Sequence, residues 1–170
     1  MDEETGTIPN ILVDLQITVD GRMLGEITLE LFSEAAPTLV ANFILLVKNK
    51  SLDGTSFFKL KPNYYIQGGD IQFNSGVGGV AGFGPRIYES HLDGELTDKH
   101  SVVMVNKGPH STCSQFLITL TPTPWLKGWM AVFGRVSKGF QILTQLQALD
   151  TDDQGTILNE VKIEKATLIN

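Results

Sequence analysis

Cysteine is nearly absent: Cys113 is the only one in 170 residues. No intramolecular disulfide can form, so an apolar core must hold the fold, and a reducing compartment fits best. Basic charge is also scarce. Thirteen Lys and Arg stand against nineteen Asp and Glu, a formal net charge of −6, and no Lys/Arg cluster offsets it locally. Gripping a phosphate backbone needs a positive surface, so nucleic acid is not expected as a direct partner. No apolar run approaches the ~20 residues that cross a bilayer, and no membrane association is expected. The opening MDEETGTIPN lacks the basic start and apolar run of a secretory signal. Cytoplasm or nucleus is the expected location.

Metal-ligand spacing is missing too. His91, His100 and His110 are scattered over polar stretches, which predicts no metal site. His110 and Cys113 are close in sequence, but no motif orients them as a nucleophile pair, and they read as loop residues. Asp152-Asp153 reads as solvated surface. The glycine-rich 74–85, NSGVGGVAGFGP, has no GxGxxG or Gly-Lys-Ser/Thr and no helical pattern after it. It reads as a structural or binding-rim loop rather than a phosphate cradle.

Glycine and proline, by contrast, are plentiful, at 17 and 7, and in a chain without repeats they signal many tight turns and β structure. Residues 1–9 read as a flexible lead-in to a single domain over 10–170. Apolar residues at Ile11, Val13, Leu15, Ile17 and Val19 alternate with polar ones and predict a half-buried strand. Asp20-Gly21 predicts a tight hairpin turn into Ile27, Leu29 and Leu31. Over 33–49 the period changes to helical, with Ser33 as N-cap, Pro37 in the first turn and Leu39, Phe43 and Leu46 on the buried face. Residues 57–70, FFKLKPNYYIQGGD, form two short strands broken at Pro62-Asn63. Strands follow at 102–105, 115–120, 131–136 and 157–168, with a second helix over 138–148 that buries Phe140, Leu143 and Leu146. The fold class is mainly β, and about eight strands with two helices close most economically as a barrel capped at its ends.

One constellation remains. Tyr64, Tyr65, Leu117, Trp125 and Leu126 are apolar or aromatic, while Gln67, Asn106 and Gln115 are amides at or beside strand ends. From residue types alone these serve equally as core and turn groups or as the walls of a groove.

The motifs LGEITLELF, QGGD at 67–70, VNKGP at 105–109, SQFLITL at 114–120 and WL…VFGRV at 125–136 occur together in this order. In them the chain resembles a cyclophilin over nearly its whole length. The resemblance implies a closed eight-stranded antiparallel barrel capped by two helices. It also implies peptidyl-prolyl cis/trans isomerisation without a cofactor, in a groove on the barrel's outer face. The short connection NKSLDGTSF resembles the compact members associated with splicing complexes, which implies a larger assembly as a partner.

The family's site residues carry over unevenly. Tyr64 matches the proline-pocket phenylalanine and Tyr65 the methionine beside it. Gln67, Asn106, Gln115, Trp125 and Leu126 are kept. Val105 replaces a small alanine, Leu117 the second pocket phenylalanine, and Met130 a histidine. Lys59 stands at the catalytic arginine, after Phe58 in place of a histidine. Lysine lacks the planar fork of arginine, so the expectation is X-Pro binding with weak or lost isomerase activity. The alternative is an active folding isomerase using Lys59 as a substitute donor. Changes at Leu117 and Met130 predict weak cyclosporin binding.

Overall fold

A computed structural model describes residues 9–71, 100–106, 112–123 and 131–169, with only the backbone of Asn106, Thr112 and Cys113. The lead-in up to residue 8 and the glycine-rich loop fall outside this set, as do Trp125, Leu126 and Met130. Strands β1 (Ile11–Val19) and β2 (Arg22–Leu31) form the expected hairpin, with Val19 opposite Arg22. Asp20 (φ 50°) and Gly21 (φ 82°) both lie in the left-handed region, the turn whose twist matches the strands it joins. Asn159 Nδ2 and the Glu160 amide donate to the Asp20 carboxylate at 2.7 and 2.9 Å. These bonds, the Asn159 one first, hold its pKa below the ordinary range.

The remaining strands are β3 (Ser56–Lys61), β4 (Tyr65–Gly68), β5 (Ser101–Asn106), β6 (Thr112–Thr119), β7 (Ala131–Lys138) and β8 (Thr156–Leu168). They close as an antiparallel barrel in the order β1-β2-β7-β5-β6-β4-β3-β8, with β8 returning to β1. Inward positions of the first hairpin, Val13, Leu15, Ile17, Ile27, Leu29 and Leu31, are fully buried. Helix α1 (Pro37–Lys48) drives Phe43 into one end of the barrel, its ring 5.6 Å from Phe116 and 5.3 Å from Phe133. Each such aromatic contact adds about 0.5–1.5 kcal/mol beyond the burial of its area. Helix α2 (Phe140–Gln147) packs against β2.

Three local expectations are corrected. Ser33 does not cap α1: Ala36 is the N-cap, and its side chain accepts no capping bond. Ser33 belongs to a preceding turn in which the Ala36 amide donates to the Phe32 carbonyl at 2.9 Å, so the helix starts at Pro37. Strand β6 starts at Thr112, earlier than the polar run there suggests. Phe140 is 45 % exposed; Gly139 takes a left-handed turn (φ 93°) that sets Ile142, Leu143 and Leu146 inward instead.

Candidate functional site

The residues with chemistry lie on the outside of β3, β4, β6 and β5. What turns Lys59 outward is a bulge. Phe57 pairs with Gly68 and Lys59 with Gln67, so two steps on β3 meet one on β4. Phe57 and Leu60 therefore both enter the core, each 1 % exposed, and Lys59 shares the outer face with Gln67. Among the described residues Lys59 makes no ion pair.

From Lys59 a single row runs across the barrel wall: Lys59 opposite Gln67, Gln67 opposite Leu117, Leu117 opposite Val103, and Val103 opposite Val132. Val103, Leu117 and Val132 form an apolar cluster separate from the core, against which Phe32, Tyr65 and Val105 pack. The row thus passes from a cation through an amide to an apolar floor. Gln67 Nε2 donates to Gln115 Oε1 at 2.8 Å, and Gln115 is 1 % exposed, so the Gln67 head is fixed by a buried partner. Tyr64 meets the Tyr65 ring edge-on at 5.1 Å, and Lys61 Nζ stands 5.1 Å from the Tyr64 ring centre, within cation–π range.

Beside Lys59 lies a groove of about 400 Å³, lined by Lys59, Lys61 and Tyr65 and by Asp152, Asp153 and Gly155 of the loop before β8. The Asp152 carboxylate accepts the amides of Gln154 at 2.8 Å and Thr156 at 2.9 Å. These bonds, that from Thr156 first, hold its pKa low. Asp152 was read from the sequence as solvated surface; it is exposed, but it also organises this loop.

Lys59, Tyr65, Gln67, Val105, Gln115 and Leu117 are therefore brought to one face, with Tyr64 at its edge. The Asn106 backbone ends β5 opposite Thr112, while Trp125, Leu126 and Met130 lie outside the described residues. Sequence reasoning missed Phe32, Val103 and Val132. The last two sit in short apolar runs, where every residue looks buried and the outward members carry no distinguishing mark.

A closed eight-stranded antiparallel barrel with two helices at its ends, bearing amides and an apolar patch on its outer wall, is the cyclophilin architecture. The chain matches the family described as "Cyclophilin type peptidyl-prolyl cis-trans isomerase/CLD" over residues 13–168, and it belongs to that family. Among its relatives is the peptidyl-prolyl cis-trans isomerase ppi1 of Schizosaccharomyces pombe, 38% identical over 147 residues, which are 86% of this chain and 94% of that one. The isomerase cypE of Dictyostelium discoideum is 40% identical over 159 residues, 91% and 96% of the two chains. The mouse (Mus musculus) peptidyl-prolyl cis-trans isomerase-like 1 is 36% identical over 144 residues, 84% and 86%.

Proposed function

We propose that this chain binds X-Pro segments of other proteins across the outer face of β3, β4, β6 and β5 and isomerises them slowly, with Lys59 as the donor. One observation carries the reading: the row Lys59, Gln67, Leu117, Val103 and Val132, which sets a cation and a fixed amide in line with an apolar floor. The family and the names of its relatives supply the reaction class.

Rotation about the X-Pro bond breaks amide resonance against a barrier of ~18–20 kcal/mol. In the twisted state the prolyl nitrogen regains its lone pair. A donor aimed at that nitrogen stabilises the twisted state over both planar ones. The proline ring docks over Leu117, whose side chain packs on the buried Val103 and Val132, and sheds its water there. Gln67, steadied by Gln115, holds the peptide backbone. Lys59 reaches toward the nitrogen as a single hydrated point charge, where arginine would bring a rigid fork. Loss of a preorganised donor costs about 2.7–4 kcal/mol, or about 10²–10³ in rate, so turnover is slow while binding persists.

The test is NMR exchange spectroscopy on an X-Pro peptide at high protein concentration. Slow exchange cross-peaks are expected, together with saturating shift changes at Gln67 and Leu117. Saturation without cross-peaks would remove the isomerase half of the reading, and no saturation would remove all of it.

A further inference from the structure

Lysine at position 59 poses a problem of order. Its four-carbon stem is flexible and its head is not a planar fork, yet a donor works only when held in place. The loop 150–155 lies against this side chain. The Leu60 amide donates to the Gly155 carbonyl at 2.9 Å, and Lys59 is registered opposite Thr156. A Cβ on Gly155 would stand 3.8 Å from Lys59 Cγ and 3.9 Å from Cε, so the lysine stem runs along the bare glycine. Gly155 sits at φ 84°, a backbone state suited to glycine.

The same loop is closed on itself through Asp152. Its carboxylate takes the Gln154 and Thr156 amides. Its own amide donates to the Thr156 carbonyl at 3.0 Å, and its carbonyl accepts the Gly155 amide at 3.1 Å. Removing the carboxylate frees two of the bonds that set where Gly155 lies.

We infer that loop 150–155 is the positioning device for Lys59, with Asp152 as the residue that sets it and Gly155 as the surface along which the stem is aligned. The inference rests on the donor reading of Lys59. Asp152 touches neither substrate nor reacting atoms; it acts through Gly155 and Lys59.

The test uses the full chain and its Asp152→Ala and Asp152→Asn variants, each confirmed as folded by circular dichroism. Lys59 Cε relaxation is followed in ¹³C-lysine-labelled protein, assigned by the signal lost in Lys59→Arg, and kcat and KM are measured on an X-Pro peptide. Asp152→Ala is expected to raise Cε mobility and lower kcat by up to about a hundredfold, with KM changed by less than about twofold. Asparagine offers the same Oδ1 acceptor, so Asp152→Asn is expected to stay within about twofold of the parent in all three readouts. Unchanged Cε relaxation in Asp152→Ala would overturn the inference. So would an Asp152→Asn variant as impaired as Asp152→Ala, because charge and not the bonded turn would then be acting. If Lys59→Ala leaves turnover unchanged, the donor reading fails, and the relaxation data still decide whether the loop orders the side chain.

Discussion

At position 59 lysine and arginine carry the same charge, and the difference between them is geometric. Lys59→Arg is therefore expected to raise turnover on an X-Pro peptide, by up to about 10²–10³ if the guanidinium regains full donor geometry. Unchanged turnover in the exchange assay would show that the missing fork is not what limits the rate. Gln67 makes a different prediction. Gln67→Ala takes away the donor that the buried Gln115 oxygen accepts at 2.8 Å, so peptide affinity is expected to drop by about 1 kcal/mol and stability by about 1–3 kcal/mol. NMR titration alongside a urea curve separates the two effects. At this scale the sequence was legible where polarity alternates. Val13, Leu15 and Ile17 of β1 and Ile27, Leu29 and Leu31 of β2 are buried as their pattern says. It was illegible at Val103 and Val132, since an apolar run is the same string whether its outward side faces core or groove. Phe140 misled for the opposite reason: an aromatic at the start of a helix looks like an anchor, and only the turn at Gly139 decides which side it takes.

Elements here are joined by a few backbone positions that no other residue fits. Gly139 links β7 to α2 at φ 93°, and a Cβ there would collide with the Glu26 carbonyl oxygen. Both the conformation and the space exclude a side chain. Gly139→Ala is expected to cost about 2 kcal/mol or more, because backbone strain and overpacking add. A shift in urea midpoint with unchanged slope would report it, and a variant as stable as the parent would refute it. The existence and order of the elements were readable from changes of period, since strands and helices bury different spacings of side chains. Their starts were less so. Ser33 has the chemistry of a cap, but it lies in a turn before the helix and its Oγ caps nothing among the described residues, and Pro37 marks the true beginning.

For the whole molecule, periodicity indicated a barrel, but pairing order is another matter. β7 lies between β2 and β5, and β3 lies beside β8; such distant partners leave no trace in local spacing. Packing at one end of the barrel depends on Phe43, buried against Phe116 and Phe133. Phe43→Ala is expected to cost about 3–5 kcal/mol, readable by denaturant titration. Acid should act through a distributed set of carboxylates. Asp20, Glu30 and Asp152 all have lowered pKa values in the folded chain, Glu30 chiefly through the Asn10 amide and then Arg135. A depressed folded pKa contributes stability above the unfolded value, and this is lost as pH falls through the folded one. Stability is thus expected to hold down to about pH 4 and to decline below it. Glu30→Gln should flatten part of that decline, and an identical acid profile for the variant would show that Glu30 has no share in it.

The bulge at Phe58 has a consequence for how such a site can change through mutation. Position 59 tolerates exchange of one side chain for another, because the backbone on either side of it is undisturbed. A gained residue is different. With one residue inserted after Phe57, the composition and turn residues would persist, but alternation beyond the bulge would turn Lys59 toward the core and Leu60 toward the outer face, whereas loss of Phe58 would only remove the bulge. Drift in residue identity and gain of a residue are therefore under unequal constraint here, and insertion between Phe57 and Leu60 is the more restricted of the two.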